Sequence, residues 1–175
     1  MKALQCVELA GPEKLIFTEV DDPKLSSGQV LLEIKAASVN FPDVLMIQGL
    51  YQNQPPMPFI PGAECSGVIA EIGEGVDSCN VGDHVFVMTG TGCFAEKLVV
   101  DAKSVSLIPK TMDFPVAAAL PMTYGTSLYA LKQRANLQPG ETLLVLGAAG
   151  GVGLSAVELG KAMGAKVIAA ASSKE

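Results

Sequence analysis

Histidine is almost missing from this chain. There is one, His84, and the four cysteines, Cys6, Cys65, Cys79 and Cys93, are spread widely with no Cys-x-x-Cys pair. A zinc site needs about four nitrogen or sulfur ligands placed together, and this pattern assembles none. His84 sits in Gly82-Asp83-His84-Val85, a turn entering a strand. It reads as a structural or surface residue. Without a better-placed histidine no Ser–His or Cys–His pair for nucleophilic catalysis can be read here. Scattered cysteines suit reduced thiols in a cytoplasmic protein better than a disulfide framework. Cys65 and Cys93 read as small core residues. Long apolar runs are missing as well: none approaches the roughly 18 residues of a membrane span. The opening MKALQCVELAGPEK carries acids and no apolar centre, unlike a targeting peptide. Basic charge is in deficit. A net charge of −6 with no basic patch argues against a nucleic-acid partner.

What is present reads as an ordered globular chain. Hydrophobic residues make up 49 % and charged residues 17 % of the 175 positions, enough for one good core or two small ones. The organisation changes near residue 120. Before it, strand-like runs at Ala3–Leu9, Leu15–Val20, Val30–Ala37, Ser66–Ile72, His84–Met88 and Phe94–Val100 alternate with Gly-Pro, Ser-Ser-Gly and Gly-Glu-Gly punctuation. That predicts a β-rich, barrel-like unit. After it, Tyr124–Arg134 predicts a helix, and Gln138-Pro139-Gly140-Glu141 leads into a βαβ pattern. The expected domains are 1–121 and 122–175.

The βαβ pattern surrounds LLVLGAAGGVGLSA at 143–156. Leu143–Leu146 is a short apolar strand. Leu154, Val157 and Leu159 recur at helical spacing, Gly164 stops the helix, and Lys166–Ala171 reads as a second buried strand. A glycine loop between strand and helix is the setting of a dinucleotide fingerprint. Two registers fit. Gly151-Val152-Gly153 followed by Ala156 is one. The other, preferred because its turn starts directly after the strand, runs Ala148-Ala149-Gly150-Gly151-Val152-Gly153, with alanine at its first position. Gly150 then lets backbone approach the pyrophosphate, Gly153 lets the helix pack on the strand, and the helix N-terminus offers N–H groups and a positive dipole end. The alternative is a tight turn with no ligand. Beyond the second strand an NAD site places an acid on the ribose 2′-hydroxyl. Here Ser172, Ser173 and Lys174 stand there, which suits the 2′-phosphate of NADP (NADPH), unless they are only a solvated loop.

Several segments together carry a family resemblance: the Ala-Ala-Gly-Gly-Val-Gly loop, Val39-Asn40-Phe41-Pro42-Asp43, Pro61-Gly62-Ala63-Glu64-Cys65-Ser66-Gly67, Val81-Gly82-Asp83-His84-Val85, Gly49–Val68 and Leu120–Leu131. The chain resembles the medium-chain dehydrogenase/reductase superfamily, in its zinc-free quinone oxidoreductase (zeta-crystallin-like) branch, and most of all the animal quinone oxidoreductase-like proteins. The resemblance implies an α/β fold with a β-rich part. That is a GroES-like N-terminal catalytic domain followed by the start of a Rossmann doubly wound sheet. It also implies that later segments completing both domains are absent, so that this chain alone is expected to bind cofactor poorly. Zinc-dependent relatives carry a cysteine where Asn40 stands, a histidine where Ala63 stands, and a cysteine cluster where only Cys93 is found. The resemblance therefore implies no zinc.

The implied activity is NADPH-dependent transfer of hydride to quinones or α,β-unsaturated carbonyls. There the developing charge spreads onto an oxygen that hydrogen-bond donors can stabilise. Asn40, Asp43 and Tyr51 match catalytic positions. Asn40 would donate to the substrate oxygen or nicotinamide, Asp43 would orient its neighbours, and Tyr51 would line the pocket or donate a proton. Equally, Asn40 or Asp43 opens a helix as its N-cap, and Tyr51 stabilises the loop at Pro55–Pro58. Thr123 matches a nicotinamide contact, or else caps the helix after it. Other readings are an enoyl-thioester reductase of the same superfamily, a non-catalytic nucleotide-binding protein, and an inactive fragment. The expected partner is a small quinone or enone, with no membrane partner and a possible homo-oligomer in a full-length form.

Overall fold

The computed structural model describes residues 1–172. It divides into two compact units, Met1–Ala119 and Leu120–Glu175.

The first unit is built on an antiparallel five-stranded sheet. Its strands are β3 (Gln29–Ser38), β4 (Glu64–Ile72), β5 (His84–Met88), β6 (Lys97–Asp101) and β7 (Val105–Leu107), in the order β6-β3-β4-β5-β7. A separate hairpin pairs β1 (Lys2–Gln5) with β2 (Ile16–Glu19). The first strand is shorter than the apolar run Ala3–Leu9, because Cys6 makes only an isolated bridge to Phe59 and the ladder ends. Inward-facing Val30, Leu32, Cys65, Ile69, Val85, Val87, Cys93 and Val100 form the main core with Cys79. All four cysteines are free and buried. A hydrogen bond to Cys93, together with burial, pushes the Cys65 thiol far up. Two short helices belong to this unit: α1 (Phe41–Ile47) and α2 (Phe114–Ala118), each with proline in its first turn. His84 stacks its ring on Phe114 of α2 with centroids 4.7 Å apart, a structural contact.

The second unit starts with α3 (Leu120–Leu128), which runs on as a π-helical turn, Tyr129–Arg134, closed by the Ala135 N–H on the Ala130 carbonyl at 2.8 Å. The helix therefore begins earlier than the expected Tyr124, since Pro121 is tolerated in a first turn. Then come β8 (Thr142–Leu146), α4 (Gly151–Ala162) and β9 (Lys166–Ala170), the two strands pairing in parallel. This is the βαβ unit the glycine loop predicted. α4 covers one face of the strand pair: a Cβ on Gly160 would lie 2.5 Å from Leu143 and 3.2 Å from Val167. On the other face Leu144, Leu146 and Ile168 are exposed, Leu146 at 76 %. Among the described residues no helix is long and apolar enough to cross a membrane.

Candidate functional site

The glycine loop follows from the geometry of the turn. β8 does not stop its pairing at Leu146, because the Ala148 N–H reaches the Ala170 carbonyl at 3.0 Å. The chain reverses at Gly147, whose φ is +69°, and the Gly150 N–H closes on the Gly147 carbonyl at 3.1 Å. Left-handed backbone of this kind favours glycine. The turn glycine is thus Gly147, one residue before the place where alanine stood in the expected register. Ala148 is buried and carries no backbone burden there. Sequence reading missed Gly147 because the fingerprint was aligned on its spacing rather than on where the strand ends.

Gly150 is the N-cap of α4, with extended φ −78° and ψ 160°. A Cβ there would meet only the Gly147 carbonyl oxygen, at 3.5 Å, so the space above the loop is open. Gly153 is the opposite case: its Cβ would fall 2.2 Å from the Gly147 oxygen and 2.9 Å from the Ala148 Cα. It is the residue that lets the helix sit on the loop. Gly151 comes against Thr123, whose Cγ2 would lie 3.1 Å from an added Cβ. Thr123 lies inside α3 and so does not cap it. Its carbonyl accepts the Ser155 hydroxyl at 3.0 Å, and Ser155 and Ser127 approach each other at 2.8 Å, with both hydroxyls also on the Val152 carbonyl. This buried hydroxyl pair, also unforeseen, fastens α3 to α4 behind the loop. The first-turn N–H groups of α4 at Gly151, Val152 and Gly153 have no partner one turn earlier in the helix. Open space, glycine and helix N-terminus together fit a pyrophosphate. Ser172 lies two residues past β9 and is exposed. Ser173 and Lys174 lie outside the described residues.

In the first unit, β3 delivers Ser38 and then Asn40, the N-cap of α1. Asp43, in the first turn, accepts the Asn40 backbone N–H at 2.8 Å. It is only 3 % exposed. Burial pushes its carboxyl up and the charge of Glu64 adds to this, against the backbone N–H groups of Asn40, Ala63 and Gly62. Glu64, the first residue of β4, is fully buried. Its Oε1 accepts the Asn40 Nδ2 at 2.7 Å and also the Ser38 hydroxyl, and the Asn40 Nδ2 reaches Ser38 Oγ at 2.9 Å. Neither Ser38 nor Glu64 was singled out from sequence as a site residue. The available signal was a lone acid inside the apolar run Ala63–Ile69, since charges are almost never fully buried unless paired. The structure brings Asn40 and Asp43 together. Tyr51 instead lies half-buried against Cys6, Met46, Ile47 and Phe59, a second small core.

Among the described residues no three His, Cys, Asp or Glu side chains cluster in a way that holds a metal. Asn40 and the buried Ala63 stand where zinc-dependent relatives were expected to carry ligands. The expectation drawn from Asn40 and Ala63 is tested by elemental analysis after dialysis, which should find far less than one equivalent of zinc. Stoichiometric zinc that EDTA removes would contradict this.

Residues 26–110 match the Alcohol dehydrogenase GroES-like domain family. Over 175 residues the chain is 40 % identical to Quinone oxidoreductase-like protein 2 of Bos taurus, covering 99 % of this chain and 50 % of that protein. A probable oxidoreductase from Mycobacterium abscessus superposes with a TM-score of 0.93 at 42 % identity, over 99 % of this chain and 56 % of that one. The quinone oxidoreductase of Thermus thermophilus, solved also in complex with NADPH, superposes with a TM-score of 0.87 at 34 % identity, over 99 % and 54 %. Over nearly its whole length the chain is similar to quinone oxidoreductase-like proteins of the medium-chain dehydrogenase/reductase superfamily. Its architecture is accordingly a GroES-like domain followed by the start of a Rossmann fold. It spans about half the length of the curated relatives it matches.

Proposed function

We propose that this chain carries the substrate-facing residues and the pyrophosphate loop of an NADPH-dependent, zinc-free reductase acting on quinones or α,β-unsaturated carbonyls. The observation that carries this reading is the loop Gly147–Gly153: a left-handed turn, an open Gly150 and a Gly153 with no room for a side chain, feeding a helix N-terminus. Relatives named quinone oxidoreductases support it, one of them solved with NADPH. NADPH, when bound, supplies the hydride. The backbone N–H groups of Gly151, Val152 and Gly153, with Gly150 leaving space, would hold the pyrophosphate. Ala148 would hold the start of the loop against Ala170 through its backbone N–H, and Thr123 would support Gly151 beside the nicotinamide. Ser172, Ser173 and Lys174 would receive the 2′-phosphate. Asn40, Asp43 and Tyr51 would face the acceptor. Asn40 would orient it, Asp43 would fix Asn40, and Tyr51 would close the pocket from its small core. Four buried free thiols suit a reducing compartment, and we place the protein in the cytoplasm.

Cofactor choice is the sharpest test of this reading. Fluorescence titration should show tighter binding of NADPH than of NADH. Ser172→Asp should reverse that order, because a carboxylate accepts from a 2′-hydroxyl and repels a 2′-phosphate. A variant that keeps the NADPH preference would place specificity elsewhere.

A further inference from the structure

Asn40 is held twice. Asp43 takes its backbone N–H at 2.8 Å, and Glu64 with Ser38 takes its side-chain nitrogen at 2.7 and 2.9 Å. The orientation of the amide follows from the acceptor. Glu64 Oε1 already accepts from Ser38, so turning the amide over would set two oxygens against each other. Ser38 completes a closed triangle, donating to the same Glu64 oxygen while receiving from Asn40. A fully buried carboxylate is costly unless hydrogen-bonded, and here it lies close enough to Asp43 for the two charges to oppose each other.

We propose that Glu64 is a positioning residue that locks the side-chain amide of Asn40 with its nitrogen turned inward. The Asn40 nitrogen is spent on Glu64 and Ser38, so a substrate oxygen finds no donor there. Asn40 acts by orienting its ligand and not by stabilising developing negative charge. This rests on the reading of Asn40 as a residue that faces the acceptor.

The test has two readouts. In nitrogen-edited NMR of the protein, the Asn40 side-chain NH2 should exchange with water at least about tenfold more slowly than that of exposed Asn53. Glu64→Ala should remove most of that protection, and Ser38→Ala part of it. Glu64→Gln, which keeps an oxygen acceptor, should retain it. In a form of family length that reduces quinones, Glu64→Ala should lower kcat about 10- to 100-fold, as loss of orientation does. KM for NADPH should stay within about twofold, and Glu64→Gln should restore most of kcat. An Asn40 amide that exchanges as fast as that of Asn53 in the unmodified protein would overturn the proposal. So would unchanged kcat in a folded Glu64→Ala variant. Absence of quinone reduction in the unsubstituted form of family length would instead sink the proposed function, while the exchange measurement would still decide the clamp. If Glu64→Ala does not fold, Ser38→Ala and Glu64→Gln carry the same comparison.

Discussion

Gly153→Ala should destabilise the second unit more than any other single-methyl change in the loop. The added Cβ would sit 2.2 Å from the Gly147 oxygen and 2.9 Å from the Ala148 Cα. Both are backbone atoms, and both are tied: the Gly147 oxygen accepts the Gly150 N–H, and the Ala148 N–H holds the end of β8 to β9. No side chain can swing aside. Relief requires lifting α4 off the strands, which would break the Ser127–Ser155 hydroxyl contact behind it. Overpacking of this kind costs roughly 1–3 kcal/mol, occasionally more, against a total stability of about 5–15 kcal/mol. Urea unfolding should show a clearly lowered midpoint. Gly150→Ser, a good N-cap with open space around its Cβ, should stay within about 0.5 kcal/mol of the unmodified protein. Equal midpoints for the two variants would mean that α4 does not rest on the loop as described.

Gly150→Val should do the reverse: leave the fold and remove the ligand. The backbone at Gly150 is extended, a region valine occupies readily. Its Cβ would meet one atom at ordinary contact distance. Valine caps a helix less well than glycine, so a loss of up to about 1 kcal/mol is expected. The isopropyl group would fill the space above the loop where a pyrophosphate would approach backbone. NADPH affinity should fall by at least about tenfold, equivalent to about 1.4 kcal/mol, with the far-UV circular dichroism unchanged. Undiminished affinity would make the loop a turn and nothing more. The two glycines, three residues apart, thus separate the structural from the ligand-binding demand of one motif.

How far such demands can be read from sequence depends on their range. The βαβ unit was legible because strand, glycine loop and helix are consecutive and the apolar periods change from two to nearly four within a few residues. The strand-rich first unit was legible from its turn punctuation. β7 and α2 were not: three residues and five residues carry too little periodicity. Gly147 was hidden because nothing local says that Ala148 still pairs with Ala170, a contact across 22 residues of chain. Glu64 was hidden for a related reason. Its partners Ser38 and Asn40 are 26 and 24 residues away and meet it only when β3 and β4 pair in the observed register, Ser38 opposite Glu64. Asn40 and Asp43 were found because they share one helix turn, where spacing alone places them together.

The most direct test of the proposed chemistry is NADPH consumption with a quinone such as phenanthrenequinone, after EDTA dialysis, by this chain and by a form of family length. The account predicts that the longer form oxidises NADPH without added metal and turns over more slowly with Asn40→Ala and with Tyr51→Phe. This chain alone, with one face of its two-stranded sheet bare, should turn over little or not at all per mole. A longer form that is inactive until zinc is restored, or whose rate is indifferent to Asn40, would contradict it.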